Sequence, residues 1–186
     1  FNFLYGPIRE QNMVLILPTN GEADYIMKTQ RVSKDIAVKR YFEKWVEAIN
    51  IIADKFPSHK IGIKFKSYED YELFKHSCYR LGLDKKTVVI SPGEDTNALI
   101  LKSNVIVSTI STVLWWANFL QSRKCLISLD LFNQPSGNYY ENVNGILYFK
   151  DTESLKAFDF SEVPPQSDKP TSGVTLTEFM QTHVRL

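Results

Sequence analysis

Cysteine is scarce in this chain: Cys78 and Cys125 are the only two among 186 residues, and no CxxC pair exists. That scarcity excludes a disulfide-stapled scaffold and fits buried thiols in a reducing compartment, one on a helical face and one entering a strand. Histidine is as sparse, and His59, His76 and His183 are too scattered for metal-ligand spacing. An excess of charge is also lacking, because 22 Lys and Arg stand against 21 Asp and Glu, a net charge of +1. A dedicated nucleic-acid binder carries a strong basic excess, so that class is set aside, with only a local basic patch left open. No apolar run approaches the roughly 20 residues of a membrane span and no signal peptide is visible, so a cytoplasmic location is expected. The first residue is Phe1, and the chain is expected to belong to a longer polypeptide.

Glycine patterning removes further classes. No GxGxxG follows the first apolar run, no GxxxxGK[ST] occurs, and no GxSxG elbow is present, which argues against a classical dinucleotide fold, a P-loop NTPase and an α/β-hydrolase. A phosphoacceptor receiver would end its first strand on an acidic cluster, where this chain has Pro18-Thr19-Asn20.

What is present is an alternation of short apolar runs with helical patterns. Strands are expected at 13–17, 60–65, 87–90, 105–107, 125–129 and 145–148. Ser33 opens a long helix in which Val38, Tyr41, Phe42, Trp45, Val46, Ile49, Ile52, Ala53 and Phe56 recur at helical spacing until Pro57. Trp45 therefore belongs to the core. Ser67-Tyr68-Glu69-Asp70 matches a capping box, and the helix behind it, lined by Tyr71, Phe74, Cys78 and Leu81, is expected to end at Gly82. Shorter helices are expected through 98–102, from the hydroxyl cluster to about 121, at 151–158 and at 175–184. Residues 163–173, rich in Pro and Ser, read as a linker.

Strand and helix alternating in this way imply an α/β, three-layer, doubly wound fold with a mostly parallel six-stranded sheet over 1–162, followed by a linker and C-terminal helix over 163–186. Ligands of such sheets bind beyond the carboxyl ends of the strands, where the strand order reverses. The loops at that edge are 18–24, 64–67, 91–96, 108–112 and 130–141, and all are polar or contain glycine. One of them is distinctive. Ser103-Asn104-Val105-Ile106-Val107-Ser108-Thr109-Ile110-Ser111-Thr112-Val113-Leu114-Trp115 runs from a buried strand through four hydroxyl residues into a helix. Backbone N–H groups at the helix start, together with Ser108, Thr109, Ser111 and Thr112, suit a phosphate; the same residues also serve as ordinary helix caps.

The order Lys64, Ser91-Pro92-Gly93-Glu94-Asp95, the hydroxyl junction, then Cys125-Leu126-Ile127-Ser128-Leu129-Asp130 resembles the C-terminal, donor-binding domain of GT-B glycosyltransferases, nearest to bacterial capsule and surface-carbohydrate transferases. The likeness covers about 13–141, and its most specific piece is the hydroxyl junction. It implies a Rossmann-like half that binds a nucleotide-activated sugar for surface polysaccharide or glycoconjugate synthesis. Ser108, Thr109, Ser111 and Thr112 then hold the donor phosphates, with Thr19, Asn20, Gly21, Lys64 and Lys66 approaching from the other side. Ser91, Pro92, Gly93, Glu94 and Asp95 face base and ribose, and Asp130, Tyr139, Tyr140 and Glu141 face the sugar.

The same resemblance implies transfer without a metal or other cofactor. Charge growing on the leaving phosphate is stabilised by the helix start, hydroxyls and a lysine, while the general base lies in an N-terminal acceptor domain. The 1–186 piece alone is then inactive, and any peripheral membrane association runs through regions beyond it. Two departures stand out. Lys64 is followed by Phe65-Lys66-Ser67 where the family pattern is Lys-x-His-Pro, and Trp116 stands where an acidic residue often grips the ribose. Three other readings stay open: a non-catalytic docking module, a nucleotide-sugar epimerase of the same fold, and a flavin or phosphosugar binder. Trp115 and Trp116 cannot both face the core directly, so one is expected to meet a neighbouring domain or the ligand, although packing suits each better.

Overall fold

A computed structural model of the chain describes residues 11–19, 21–120, 124–134 and 137–162. The expected linker and C-terminal helix beyond 162 lie outside these residues, as does Asn20. Six strands, β1 (Gln11–Leu17), β2 (Lys60–Lys64), β3 (Thr87–Ile90), β4 (Ser103–Ser108), β5 (Cys125–Leu129) and β6 (Ile146–Phe149), form one sheet in the order β3-β2-β1-β4-β5-β6. Every neighbouring pair is parallel. The chain steps outward from β1 to β3, crosses back to the other side of β1, and then steps outward again to β6.

The central strands are Val- and Ile-rich because helices bury both of their faces. Along β1 the alternation is clean: Val14 and Ile16 enter one apolar core, while Met13, Leu15 and Leu17 enter the other. The first core is built with helices α1 (Glu22–Gln30), α2 (Lys34–Lys55), α3 (Tyr68–Ser77) and α6 (Thr152–Ala157), and the second with α4 (Thr96–Lys102) and α5 (Thr112–Leu120). Three layers result, as expected from the alternation.

Local chemistry sets the helix limits. Ser33 accepts from the Ile36 N–H at the start of α2, whose Tyr41, Phe42, Trp45, Ile49 and Ile52 are buried at helical spacing. Ser67 accepts from the Asp70 N–H at the start of α3, and its own hydroxyl donates to the Asp70 carboxylate at 2.8 Å. Helix α3 stops at Ser77, short of the expected Gly82; irregular turns carry the chain to Gly82, whose φ of +77° is left-handed. Phe65, just past β2, packs edge-on or tilted against Tyr41, Phe42 and Phe74, which ties α2 and α3 to the sheet.

Helix α1 corrects the expected rim loop at 18–24, since the sequence pattern shows no helix before Ser33. Glu22 and Asp24 lie in its acidic first turn, Lys28 in its last, and Ile26 is buried. With only a short apolar stripe, its pattern was faint beside that of α2. Gly21 precedes it with φ +92°, a left-handed conformation that glycine adopts without a Cβ penalty.

Lys124 is 1 % exposed, and its ammonium donates to the Leu101 carbonyl at 3.2 Å and to the Ser103 carbonyl, at the end of α4 and the start of β4. A cation at a helix C-terminus meets the negative end of the macrodipole as well as the carbonyls that the helix leaves over. Lys124→Met is expected to lower the unfolding free energy by about 2 kcal/mol, since two buried acceptors lose a donor. Urea denaturation reads this directly, and an unchanged midpoint would contradict it.

Candidate functional site

The strand order reverses between β1 and β4, whose last paired residues are Leu17 and Ser108. Open α/β sheets take ligands at the carboxyl edge of such a reversal. The Ser108 hydroxyl is fully buried and donates to the Leu17 carbonyl at 2.6 Å, so it locks the two strand ends together. Its proton is thereby committed to the backbone.

Immediately beyond, Thr19 and Thr109 hydrogen-bond through their hydroxyls across the split. The Thr19 hydroxyl donates to Glu22 Oε1 at 3.0 Å, and the Trp45 indole N–H donates to Glu22 Oε2 at 3.1 Å. The Tyr41 hydroxyl donates to the Thr19 carbonyl at 3.4 Å. Glu22 is 1 % exposed, and burial pushes its pKa up to about 7, against the pull of hydrogen bonds from Thr109, Trp45 and Thr19 and with a smaller push from the Asp130 carboxylate. A titratable carboxyl thus sits directly under the hydroxyl pair.

At the start of α5, Ser111 organises the first turn. Its hydroxyl accepts from the Val113 N–H at 3.3 Å, and its carbonyl accepts from the Leu114 N–H at 3.1 Å. Thr112 is exposed, Ser111 is half-buried, and the first turn carries no acidic residue, so no carboxylate there opposes an anion.

The flanking loops are fixed by their own polar contacts. Asp130 Oδ1 accepts from the Phe132 and Gln134 N–H groups at 3.2 and 3.3 Å, and the Tyr25 hydroxyl of α1 donates to the Asn133 carbonyl at 3.0 Å. Tyr140 is 1 % exposed and donates to the Ser111 carbonyl at 2.5 Å, which makes it a brace between a short 3-10 turn at Gly137–Tyr140 and α5. Tyr139 stacks edge-on to it and is exposed, as is Glu141.

On the other side, Lys64 ends β2 almost fully buried, its pKa lowered by burial while the Asp95 and Glu94 carboxylates favour its charged form. The loop after β3 therefore lies electrostatically beside it. Lys66 is exposed. In that loop Asp95 caps α4 by accepting from the Asn97 N–H at 2.9 Å, and Ser91, Pro92, Gly93 and Glu94 form a tight turn. A Cβ on Gly93 would lie 2.8 Å from the Tyr68 hydroxyl, so an exposed aromatic ring stands against this turn.

Thr19, Gly21, Ser108, Thr109, Ser111, Thr112 and Asp130 thus gather around the reversal, and Lys64 and the 91–95 turn follow the next two strands at the same sheet edge. Two residues escaped the sequence reading. Glu22 is hidden by the faint pattern of α1, although a glutamate directly after the Pro18-Thr19-Asn20-Gly21 turn is a signal. In the sequence Tyr68 stands only as part of a capping motif. Trp116 donates to Asn97 Oδ1 at 3.2 Å, and both Trp115 and Trp116 pack partly buried on the second core, which bears out packing for each. Cys78 is buried and Cys125 partly so. Among the described residues no three His, Cys, Asp or Glu side chains are grouped to hold a metal, and no helix is long and apolar enough to cross a membrane.

No protein-family model matches the chain, and a search of curated proteins finds no match.

Two predictions follow from these contacts. A carboxyl whose folded pKa is raised contributes stability below its unfolded pKa, near 4.5, and loses it as pH rises through about 7. Relative to Glu22→Gln, the wild-type chain should therefore lose about 3 kcal/mol of stability across that window, at 1.36 kcal/mol per pKa unit; a pH-independent difference would refute the assignment. Ser128, in register with Ser108, is 1 % exposed with no hydrogen-bond partner for its hydroxyl among the described residues. Ser128→Ala is expected to be neutral or up to about 1 kcal/mol stabilising in thermal unfolding, because an unsatisfied buried hydroxyl is removed.

Proposed function

We propose that this chain is the donor-binding half of a metal-independent glycosyltransferase, seating the phosphates of a nucleotide-activated sugar at the β1–β4 reversal, in surface polysaccharide or glycoconjugate synthesis. The observation that carries the reading is the convergence, at the reversal of a β3-β2-β1-β4-β5-β6 sheet, of the Thr19–Thr109 pair with the carboxylate-free first turn of α5. Lys64 supplies a cation from β2, and the 91–95 turn with Tyr68 offers backbone groups and an aromatic face for a base. Growing negative charge on a leaving phosphate is stabilised by fixed N–H and O–H dipoles of this kind. The acceptor and its general base belong to a partner domain of the same polypeptide.

One observation favours a second reading. Trp116 occupies the position where an acidic ribose contact is expected and is bonded within the domain to Asn97. A docking module that keeps the fold but not the chemistry would show this arrangement.

Calorimetry with CMP, CDP, UDP and GDP separates the two. Donor binding predicts micromolar to millimolar affinity for at least one, weakened about tenfold by Thr112→Val or by Lys64→Met, the loss of one charge-assisted contact. A folded chain that binds none of the four at millimolar concentration supports the docking module.

A further inference from the structure

The buried carboxyl beneath the threonine pair is a feature that a simple phosphate cradle does not need, because a carboxylate there repels the anion it would help to seat. Its contacts define what its proton does. The Trp45 N–H donates to Oε2, so that oxygen is an acceptor in either protonation state, and the acid proton of a neutral Glu22 belongs on Oε1, facing the Thr19 hydroxyl. When Glu22 is ionised, Thr19 must donate inward to Oε1, and the hydroxyl of Thr109, bonded to that of Thr19, is drawn inward as well. Oxygen lone pairs then line the crevice. When Glu22 is protonated, its O–H donates to Thr19, and one of the two threonine protons is released to point outward while the other keeps the Thr19–Thr109 bond. The same three side chains present only acceptors in one state and an outward donor in the other.

We infer that Glu22, Thr19 and Thr109 form a proton-coupled phosphate site, in which a phosphate seats at the β1–β4 reversal together with one proton taken from solvent onto Glu22 Oε1. The inference rests on the donor-site reading and adds a co-ligand to it. The proton returns to solvent when the phosphate leaves, so the cycle balances. The groups facing Glu22 favour this: Asp130 just past β5 adds negative charge, and Tyr41 and Trp45 from α2 and Thr109 just past β4 contribute neutral dipoles. A phosphate at the threonine pair adds a further negative charge and raises the proton affinity of Glu22, which is the linkage that draws the proton in. The raised pKa of about 7 in the free protein makes that uptake partial near neutrality and larger at higher pH.

Glu22→Gln tests the coupling, because its amide N–H takes the place of the acid O–H toward Thr19 while the amide oxygen still accepts from Trp45. Titrations of CMP, CDP, UDP and GDP are run at several pH values in buffers of different ionisation enthalpy, on wild type and on Glu22→Gln. The variant is the reference that cancels the titration of the nucleotide's own phosphate. Wild type should take up a fraction of a proton more than the variant, and its affinity should fall about tenfold per pH unit above the folded pKa relative to the variant. A second readout needs no ligand and no variant: the Trp45 indole N–H resonance should titrate near neutrality in the free wild-type protein. Nucleotide binding with equal proton uptake in the two proteins, or an indole resonance that titrates only in the ordinary carboxylate range, overturns the coupling alone. Absence of binding by all four nucleotides overturns the donor-site reading and the coupling with it.

Discussion

The pairing of β1 with β4 is the constraint on which the architecture turns. Because β1 is central, with β2 on one side and β4 on the other, its residues must be apolar on both faces, and the chain leaves it in opposite directions on either side. The split that opens beyond the two strands is a product of that topology. Its polar groups are also an accounting consequence, since backbone at the end of a buried parallel pair needs partners. The Ser108 hydroxyl supplies one for Leu17, and Ser111 supplies two for the first turn of α5. Of the four hydroxyls in the junction, those of Ser108 and Ser111 are therefore largely occupied with the backbone, that of Thr109 is buried in its bond to Thr19, and that of Thr112 is exposed at the rim.

Burying Glu22 under that rim is costly in isolation, because desolvation is the largest influence on it and the hydrogen bonds from Thr109, Trp45 and Thr19 only partly offset the loss of water. Placing it at the start of α1 recovers part of that cost, as a carboxylate in a first turn meets the positive end of the helix. The left-handed Gly21 is what turns the chain sharply enough to put the side chain beneath Thr19 instead of in solvent. Helix α2 contributes Trp45 and Tyr41; the Tyr41 ring also packs against Phe42 and Phe65, and Trp45 is buried in the same core. Core and site share side chains here, so neither is separable from the other.

The sequence was most legible where one physical signal dominated. Thr87–Ile90 and Cys125–Leu129 coincide with their expected strands because short, largely apolar runs between polar loops have few alternatives. Helix α2 was equally plain, with a serine cap and a long apolar stripe. Helix α1 was not, because its few apolar residues are carried by contacts with α2 that no local pattern displays. The end of α3 at Ser77 was missed because the apolar spacing continues to Leu81, and an irregular turn can bury Leu81 as well as a helix can. At the site, the hydroxyl junction was visible as composition, but the division of labour within it was not. That Ser108 faces a carbonyl while Thr109 faces Thr19 depends on strand register, which is a property of the folded sheet. Tyr140 shows the same limit: an aromatic in a rim loop looks like a ligand contact until its burial is known.

Tyr140 also makes the outer rim and the start of α5 one mechanical unit. Its ring is clamped within the second core and its hydroxyl holds the same Ser111 carbonyl that anchors Leu114, so the 137–140 turn cannot swing outward without loosening the first turn of the helix. With Tyr25 fastening Asn133 on the opposite flank, the segment after β5 is pinned at two points some distance apart in sequence. Loss of the Tyr140 hydroxyl would therefore be felt at the helix entrance, through a single phenol.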